Sequence, residues 1–257
     1  MQPVAGLHHD ALRPQSDTRR PSRDVSAVQA NKLIVCDKVS GTMAIKAIFF
    51  DVGETLVDET RQWSSWADWL GVSRLAFSAA LEKTIAEGRH HRRVFDIFKP
   101  GFDLYQAEAA RQAQGNRYFI EPRDFYPDAT AALRRLKAAG YVVGIAGNQP
   151  EETEAALELS GIAADHIASS ARWGIEKPSP DFFAKIIDVS GCAANEVAYV
   201  GDRLDNDVLP AKKAGLLSVF IVRGPWGHIH ARYPEASQAD LTIHALDELP
   251  AALRRIV

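Results

Sequence analysis

The stretch Ile45-Lys46-Ala47-Ile48-Phe49-Phe50-Asp51-Val52-Gly53-Glu54-Thr55-Leu56 decides how the rest of the chain reads. Its first half is nearly all apolar, as a strand buried on both faces of a parallel sheet must be. An acid follows at once, where the strand gives way to its loop. Toward the C-terminus the same arrangement recurs. Apolar runs at Tyr141–Ala146, His166–Ala168, Val197–Val200, Ser218–Val222 and Leu241–Ile243 read as further strands.

Helices with legible ends lie between these runs. Pro127 and Asp128 open a segment with Leu133 and Leu136 inside and Gly140 at its close. Pro150-Glu151-Glu152 opens another that ends at Gly161, and Pro180-Asp181 opens a third that ends at Gly191. Proline suits a first turn whose N–H groups have no helical partner, and acid suits the positive end of the helix dipole. Glycine just past the end turns left-handed at little cost. Strand–helix alternation of this kind predicts an α/β fold, a doubly wound Rossmann-like parallel sheet. Residues 43–59 and 125–257 are assigned to that core.

Residues 60–124 break the alternation. They hold no good strand, but carry helical patterns at Trp63–Leu70, Leu75–Glu87 and Leu104–Ala113, interrupted at Lys99-Pro100-Gly101. A helical insert after the first strand predicts a small cap over the carboxyl ends of the strands, where ligands of such sheets bind. Residues 1–42 are rich in Arg, Ser, Asp, Pro and Gln, and their longest apolar run is Leu33-Ile34-Val35-Cys36. A secretory signal needs roughly 7–15 apolar residues. The segment reads as a disordered tail, or else translation begins at Met43.

The 257 residues suffice for one large domain carrying an insert. With 46% apolar and 25% charged residues, the composition is that of a soluble globular protein. Thirty Lys+Arg against 33 Asp+Glu give a net charge of -3, so no basic field points to nucleic acid or to an anionic membrane. No run approaches the 18 or so apolar residues of a membrane span. Cys36 and Cys192 make neither a disulfide framework nor a metal site, which suits the cytoplasm. The partner expected is a small molecule, with no nucleic acid and no membrane; the sequence sets no oligomeric state.

The residues that carry chemistry stand at strand ends. Asp51 follows the first strand and Gly147-Asn148 the second, Lys177 lies in Gly174-Ile175-Glu176-Lys177-Pro178-Ser179-Pro180, and Asp202, Asp205 and Asp207 follow the fourth. In a parallel sheet these ends converge on one edge. Carboxylates packed so closely repel unless a cation joins them. Oxygen donors without clustered histidine or cysteine favour Mg2+ over zinc. A carboxylate beside Mg2+ and a lysine is also what displacement at phosphorus needs. The carboxylate attacks, and the positive charges offset the non-bridging oxygens.

In these motifs and their order, from Met43 to Val257, the chain resembles the haloacid dehalogenase-like hydrolases. The resemblance implies that Asp51 is the nucleophile and Lys177 the catalytic lysine, and that Gly147, Asn148 and Lys177 meet the substrate. It implies Mg2+ held by Asp51, the Gly53 carbonyl, Asp202 and Asp207, with Asp207 preferred to Asp205 as the second acid of the last motif. It also implies that the insert is a C1-type cap. Two positions depart from the pattern. Phosphatase members carry a second aspartate two residues past the nucleophile, to protonate the leaving group and then activate water. Here that position is Gly53, and a general acid/base is worth about 10²–10⁴ in rate. The second motif usually presents a Ser or Thr hydroxyl, and here Gly147 stands in its place, leaving Asn148 or backbone N–H groups to serve.

Several further residues carry two readings. Glu54, next to the vacant position, is a candidate stand-in acid/base, although adjacent loop positions point differently. His90-His91-Arg92-Arg93 reads as a solvated basic turn, or as a cap patch that meets an anionic substrate. Trp63, Trp66 and Trp69 share one side of a helix and read as cap core rather than as a stacking surface. His228 and His230 form an H-x-H in a loop after the fifth strand, with no third ligand. The expected function is Mg2+-dependent hydrolysis of a small phosphorylated metabolite through an aspartyl-phosphate on Asp51. One alternative is a carbon–halogen or carbon–phosphorus hydrolase, since a halide leaves without a proton; but dehalogenase members need no metal, and the acidic cluster looks built for one. The other is a ligand-binding protein on a catalytically degraded scaffold, which Gly53 and Gly147 favour.

Overall fold

A computed structural model describes residues 44–255; the tail read at 1–42, and Met43 as a start, lie outside the described residues. Six strands form one sheet: β1 (Ala47–Phe50), β2 (Val142–Gly147), β3 (His166–Ser169), β4 (Val197–Gly201), β5 (Leu217–Ile221) and β6 (Leu241–Ile243). Their order is β3-β2-β1-β4-β5-β6, with every neighbouring pair parallel. The chain therefore winds outward from β1 to one edge, returns, and winds from β4 to the other. Ligands of such sheets bind at that reversal. Phe50 pairs with Ile145 on one side and Val200 on the other, so β1, β2 and β4 end level with one another.

Helices α1 (Thr60–Leu70), α2 (Arg74–Ala86), α3 (Val94–Phe98) and α4 (Leu104–Ala113) all fall between β1 and β2. After them come α5 (Ala129–Ala138), α6 (Glu151–Leu159), α7 (Ser170–Trp173) and α8 (Pro180–Ser190), then α9 (Leu209–Lys213), α10 (Gly224–His230) and α11 (Leu249–Leu253). The two faces of β1 show how the sheet is covered. Ile48 and Phe50 pack with Leu133 and Leu136 of α5, Leu157 of α6 and Leu249 of α11. Ala47 and Phe49 pack with Phe182, Phe183 and Ile186 of α8 and Ala211 of α9. Alternation with period two thus buries both faces under helices, which is why the strand carries almost no polar residue. Among the described residues, no helix is long and apolar enough to cross a membrane.

The helices between β1 and β2 have an apolar cluster of their own, built on Trp66, Phe77, Leu81, Ile85, Val94 and Phe95. Trp226 of α10 joins it from the side of the sheet. Trp66 is buried there, while Trp63 and Trp69 are partly buried against it. One expectation needs correcting. The loop read at His228 and His230 is the end of α10, started by Pro225 in its first turn after Gly224 at φ 63°. Residues two apart on a helix do not face each other. His230 is buried, and its Nδ1 accepts the Leu204 N–H at 3.1 Å.

A part-buried ion pair ties the end of β5 to the start of α5. Arg223 grips Asp128 with both nitrogens, at 3.0 and 2.7 Å, and Asp128 also accepts the Leu246 N–H at 2.8 Å. Burial opposes the Asp128 carboxylate, but these donors outweigh it and hold its pKa below the ordinary value. A lowered folded pKa stabilises the fold above the unfolded value of about 3.9, and that contribution is lost as pH falls through the folded one. Arg223→Met leaves the part-buried carboxylate with the Leu246 N–H alone, which should cost about 1–3 kcal/mol at neutral pH in urea unfolding. The deficit should shrink as pH falls, because the stranded Asp128 carboxyl of the variant takes up a proton more readily than the paired one of the wild type.

Candidate active site

Asp51 is the first residue past β1 and Asp202 the first past β4, so the two flank the reversal of strand order. The chain after β4 then winds through a π turn, Leu204–Val208, which carries Asp207 back beneath them. One oxygen from each of the three carboxylates lies within 4.8 Å of the others, and all three residues are buried. Lys177 enters from the loop before α8. Its Nζ lies 2.7 Å from Asp51 Oδ1 and 2.6 Å from Asp207 Oδ1, with the side chain only 1% exposed. The second oxygen of Asp207 accepts the Arg203 N–H at 3.0 Å. Oδ2 of Asp202 is buried without a partner.

Electrostatics follow from this count of charges. Burial works against the Lys177 ammonium, but the charges of Asp207 and Asp51 outweigh it and hold its pKa well above the usual lysine value. Burial, then the Lys177 charge opposing it, leaves Asp207 at about 6. Asp202 has no such cation at hand, and burial plus the charges of Asp207 and Asp51 push it well up. One buried ammonium is thus shared among three carboxylates, and the surplus falls on Asp202. Oxygen donors and an unpartnered buried carboxylate oxygen suit a hard divalent cation. Asp51, Asp202 and Asp207 are the side chains that could hold it, with Asp51 and Asp207 each also meeting the Lys177 ammonium.

The second motif is arranged differently from the expectation that Asn148 serves the substrate. Both polar atoms of its side chain close on the Lys177 backbone: Nδ2 donates to the carbonyl at 2.9 Å and Oδ1 accepts the N–H at 2.8 Å. The amide positions the lysine. Gly147 is beside the Asp51 carboxylate, and a Cβ there would collide with Asp51 Oδ1. With Asp51 turned this way, a Ser or Thr has no room.

Gly53 and its neighbours hold the principal surprise. Glu54 takes the left-handed conformation, φ 52°. Its carboxyl accepts the Tyr126 hydroxyl at 2.5 Å, and burial raises its pKa to about 7. Glu59 lies on the other side. It is the residue that opens α1, and its Oε2 accepts the Trp63 Nε1–H at 3.2 Å. Burial, with the charges of Glu54 and Asp51 adding to it, raises its pKa to about 8. No motif spacing marks Glu59 in the sequence; a residue that comes home after a turn of loop and the start of a helix leaves no periodic signal. Asp205 pairs with Arg203 at 2.7 Å, and that guanidinium lies 5.4 Å from the centre of the Trp226 ring.

A cavity of about 800 Å³ opens above these groups. Asp51, Lys177 and Asp202 line it on the sheet side, and Trp63, His91 and Arg117, all from the stretch between β1 and β2, line it as well. The basic turn divides in two. Arg92 and Arg93 are exposed, but His91 sits with its ring 5.8 Å from Trp63 and 5.4 Å from Trp226. Burial, and after it the neighbouring His90, lowers its pKa to about 3, so at neutral pH it offers the cavity an uncharged ring.

A sequence model described as haloacid dehalogenase-like hydrolase matches residues 45–215. The glyceraldehyde 3-phosphate phosphatase of Pyrococcus furiosus is 31% identical over 229 residues, covering 82% of this chain and 94% of that protein. The (S)-2-haloacid dehalogenase 4A of Burkholderia cepacia is 28% identical, covering 70% and 84% respectively. The crystal structure of a HAD phosphatase from Thermococcus onnurineus gives a TM-score of 0.53 at 24% identity, covering 81% of this chain and 98% of that one. At that identity the likeness speaks for the fold.

The charge count makes two opposite variants informative. Asp202→Asn removes an unpartnered buried charge and should raise the melting temperature of the metal-free protein. Lys177→Met removes the one ammonium from three carboxylates and should cost about 3–5 kcal/mol. Urea and thermal unfolding in EDTA check both.

Proposed function

The chain belongs to the haloacid dehalogenase-like hydrolases, and from that premise we propose that it is a phosphatase of a small phosphorylated metabolite, with Asp51 as nucleophile. The observation that carries the reading is the Lys177 ammonium lodged between Asp51 and Asp207 beside the unpartnered oxygen of Asp202. That arrangement sets an ammonium against the Asp51 carboxyl and leaves negative charge to be balanced at the place where a phosphoryl group would arrive. Relatives named glyceraldehyde 3-phosphate phosphatase support the same reading.

The residues divide the work. Asp51 attacks phosphorus and the ester oxygen departs, leaving an aspartyl-phosphate that water then hydrolyses. Lys177 lies against the phosphoryl oxygens and offsets their charge, in a site where water screens little. Asn148 fixes the lysine through its backbone, and Asp207 fixes its ammonium. Asp51, Asp202, Asp207 and the Gly53 carbonyl would hold Mg2+, whose charge would offset that of the non-bridging oxygens. The cavity accommodates a metabolite-sized molecule.

A carbon–halogen hydrolase is the second reading, favoured by the likeness to the Burkholderia cepacia dehalogenase and by Gly53, since a halide leaves without a proton. It gives no reason for three carboxylates around one ammonium. Asp51→Asn should reduce phosphate release from a panel of small phosphate esters to background. EDTA should abolish the wild-type activity and Mg2+ restore it. In thermal unfolding, Mg2+ should stabilise the wild type but not Asp202→Asn. Chloride release from 2-chloropropionate in EDTA, with no phosphate release in Mg2+, would reverse the order of the two readings.

A further inference from the structure

Position 53 is glycine, yet the space beside it is filled. A Cβ placed on Gly53 would collide with Oε1 of Glu59 and lie 2.9 Å from its Cδ. A carboxyl therefore occupies the volume that a side chain at position 53 would take, though it arrives from a residue six places further on. Gly53 is not in the left-handed region, so the backbone itself would accept a side chain; what stands in the way is the Glu59 carboxyl. The carboxyl is held from behind, where Trp63 Nε1–H donates to Oε2, and Oε1 is the oxygen turned to Gly53. Glu59, Gly53, Asp51 and Lys177 all line the same cavity. Glu54 is committed elsewhere, to the Tyr126 hydroxyl and against Gly224.

We propose that Glu59 is the catalytic acid/base of this protein, supplying from the residue just before α1 the carboxyl that position 53 lacks. The inference rests on the phosphatase reading above. In the first step an Asp51 oxygen bonds to phosphorus, the bond from phosphorus to the ester oxygen breaks, and the Glu59 carboxyl gives its proton to that oxygen, releasing the alcohol. In the second step water bonds to phosphorus while the Glu59 carboxylate takes one of its protons. The bond from phosphorus to Asp51 breaks, phosphate leaves, and both side chains return to their starting states. No other reactant is needed.

The test compares two aryl esters in Mg2+: dinitrophenyl phosphate, whose leaving group departs without a proton, and phenyl phosphate, whose leaving group needs one. Glu59→Gln should lower kcat/KM for phenyl phosphate by about 10²–10⁴ and barely change it for dinitrophenyl phosphate. With dinitrophenyl phosphate the variant should release one equivalent of phenol per protein in a burst and then turn over slowly, with phosphorylated protein visible by intact mass, because the second step has lost its base. Gly53→Asp combined with Glu59→Ala should recover turnover of phenyl phosphate, since the new side chain enters the vacated space. Equal losses on both esters, no burst and no recovery in the double variant would overturn the role of Glu59 while leaving the phosphatase reading intact. A wild-type protein inert toward both esters would overturn the two together.

Discussion

Three buried carboxylates around one ammonium set the terms for everything else at the sheet edge. Carboxylates this close repel strongly in a site with little water, and a single lysine meets two of them directly. Lys177 must therefore be placed accurately. It sits on a loop, the least constrained kind of element, and the fold compensates by clamping its backbone from both sides with the Asn148 amide. The same constraint explains Gly147. The Asp51 carboxylate turned toward Lys177 occupies the space a side chain there would need. What reads in the sequence as a lost hydroxyl is, in space, the room Asp51 needs to reach its lysine.

Much of this was legible in the residues alone, for a physical reason. A parallel strand buried on both faces has to be apolar throughout, so the acid that ends it is conspicuous, and helices between such strands advertise their ends with proline, acid and glycine. Asp51, Gly147-Asn148, Lys177 and Asp202 through Asp207 stood out because each follows such an element. The order of strands then brings them together without further information. Distances along the chain say nothing about pairings that close across a fold. Arg223 meets Asp128 from 95 residues away, and Tyr126 meets Glu54 from 72. His91 shows the same limit in a shorter segment. Its sequence neighbours are exposed and basic, and only its contact with Trp63 and Trp226 turns it inward and keeps it neutral.

The two glutamates that flank Gly53 show how position in space and position in sequence part company. Glu54 is adjacent to the vacancy, yet its carboxyl accepts the Tyr126 hydroxyl. Glu59 is distant in sequence, yet its carboxyl fills the vacancy. With Glu59 placed as it is, a side chain at 53 would collide with its carboxyl, so the two positions go together: the glycine admits the glutamate, and a side chain on the glycine would have to displace it. A substitution at either position has a meaning only in the light of the other.

That unit also alters how the halves of the protein depend on each other. On the phosphatase reading, the core meets the phosphoryl end of a substrate through Asp51, Lys177 and Asp202. A carboxyl belonging to the core loop would complete the chemistry whatever the cap did. A carboxyl that opens α1 is correctly placed only when α1 is, and α1 is held by the Trp63 and Trp66 contacts that also line the cavity. Proton delivery and recognition of the leaving group then draw on the same helix. A poorly seated leaving group would displace the acid as well as lose its own contacts, and discrimination would fall on the chemical step as well as on binding.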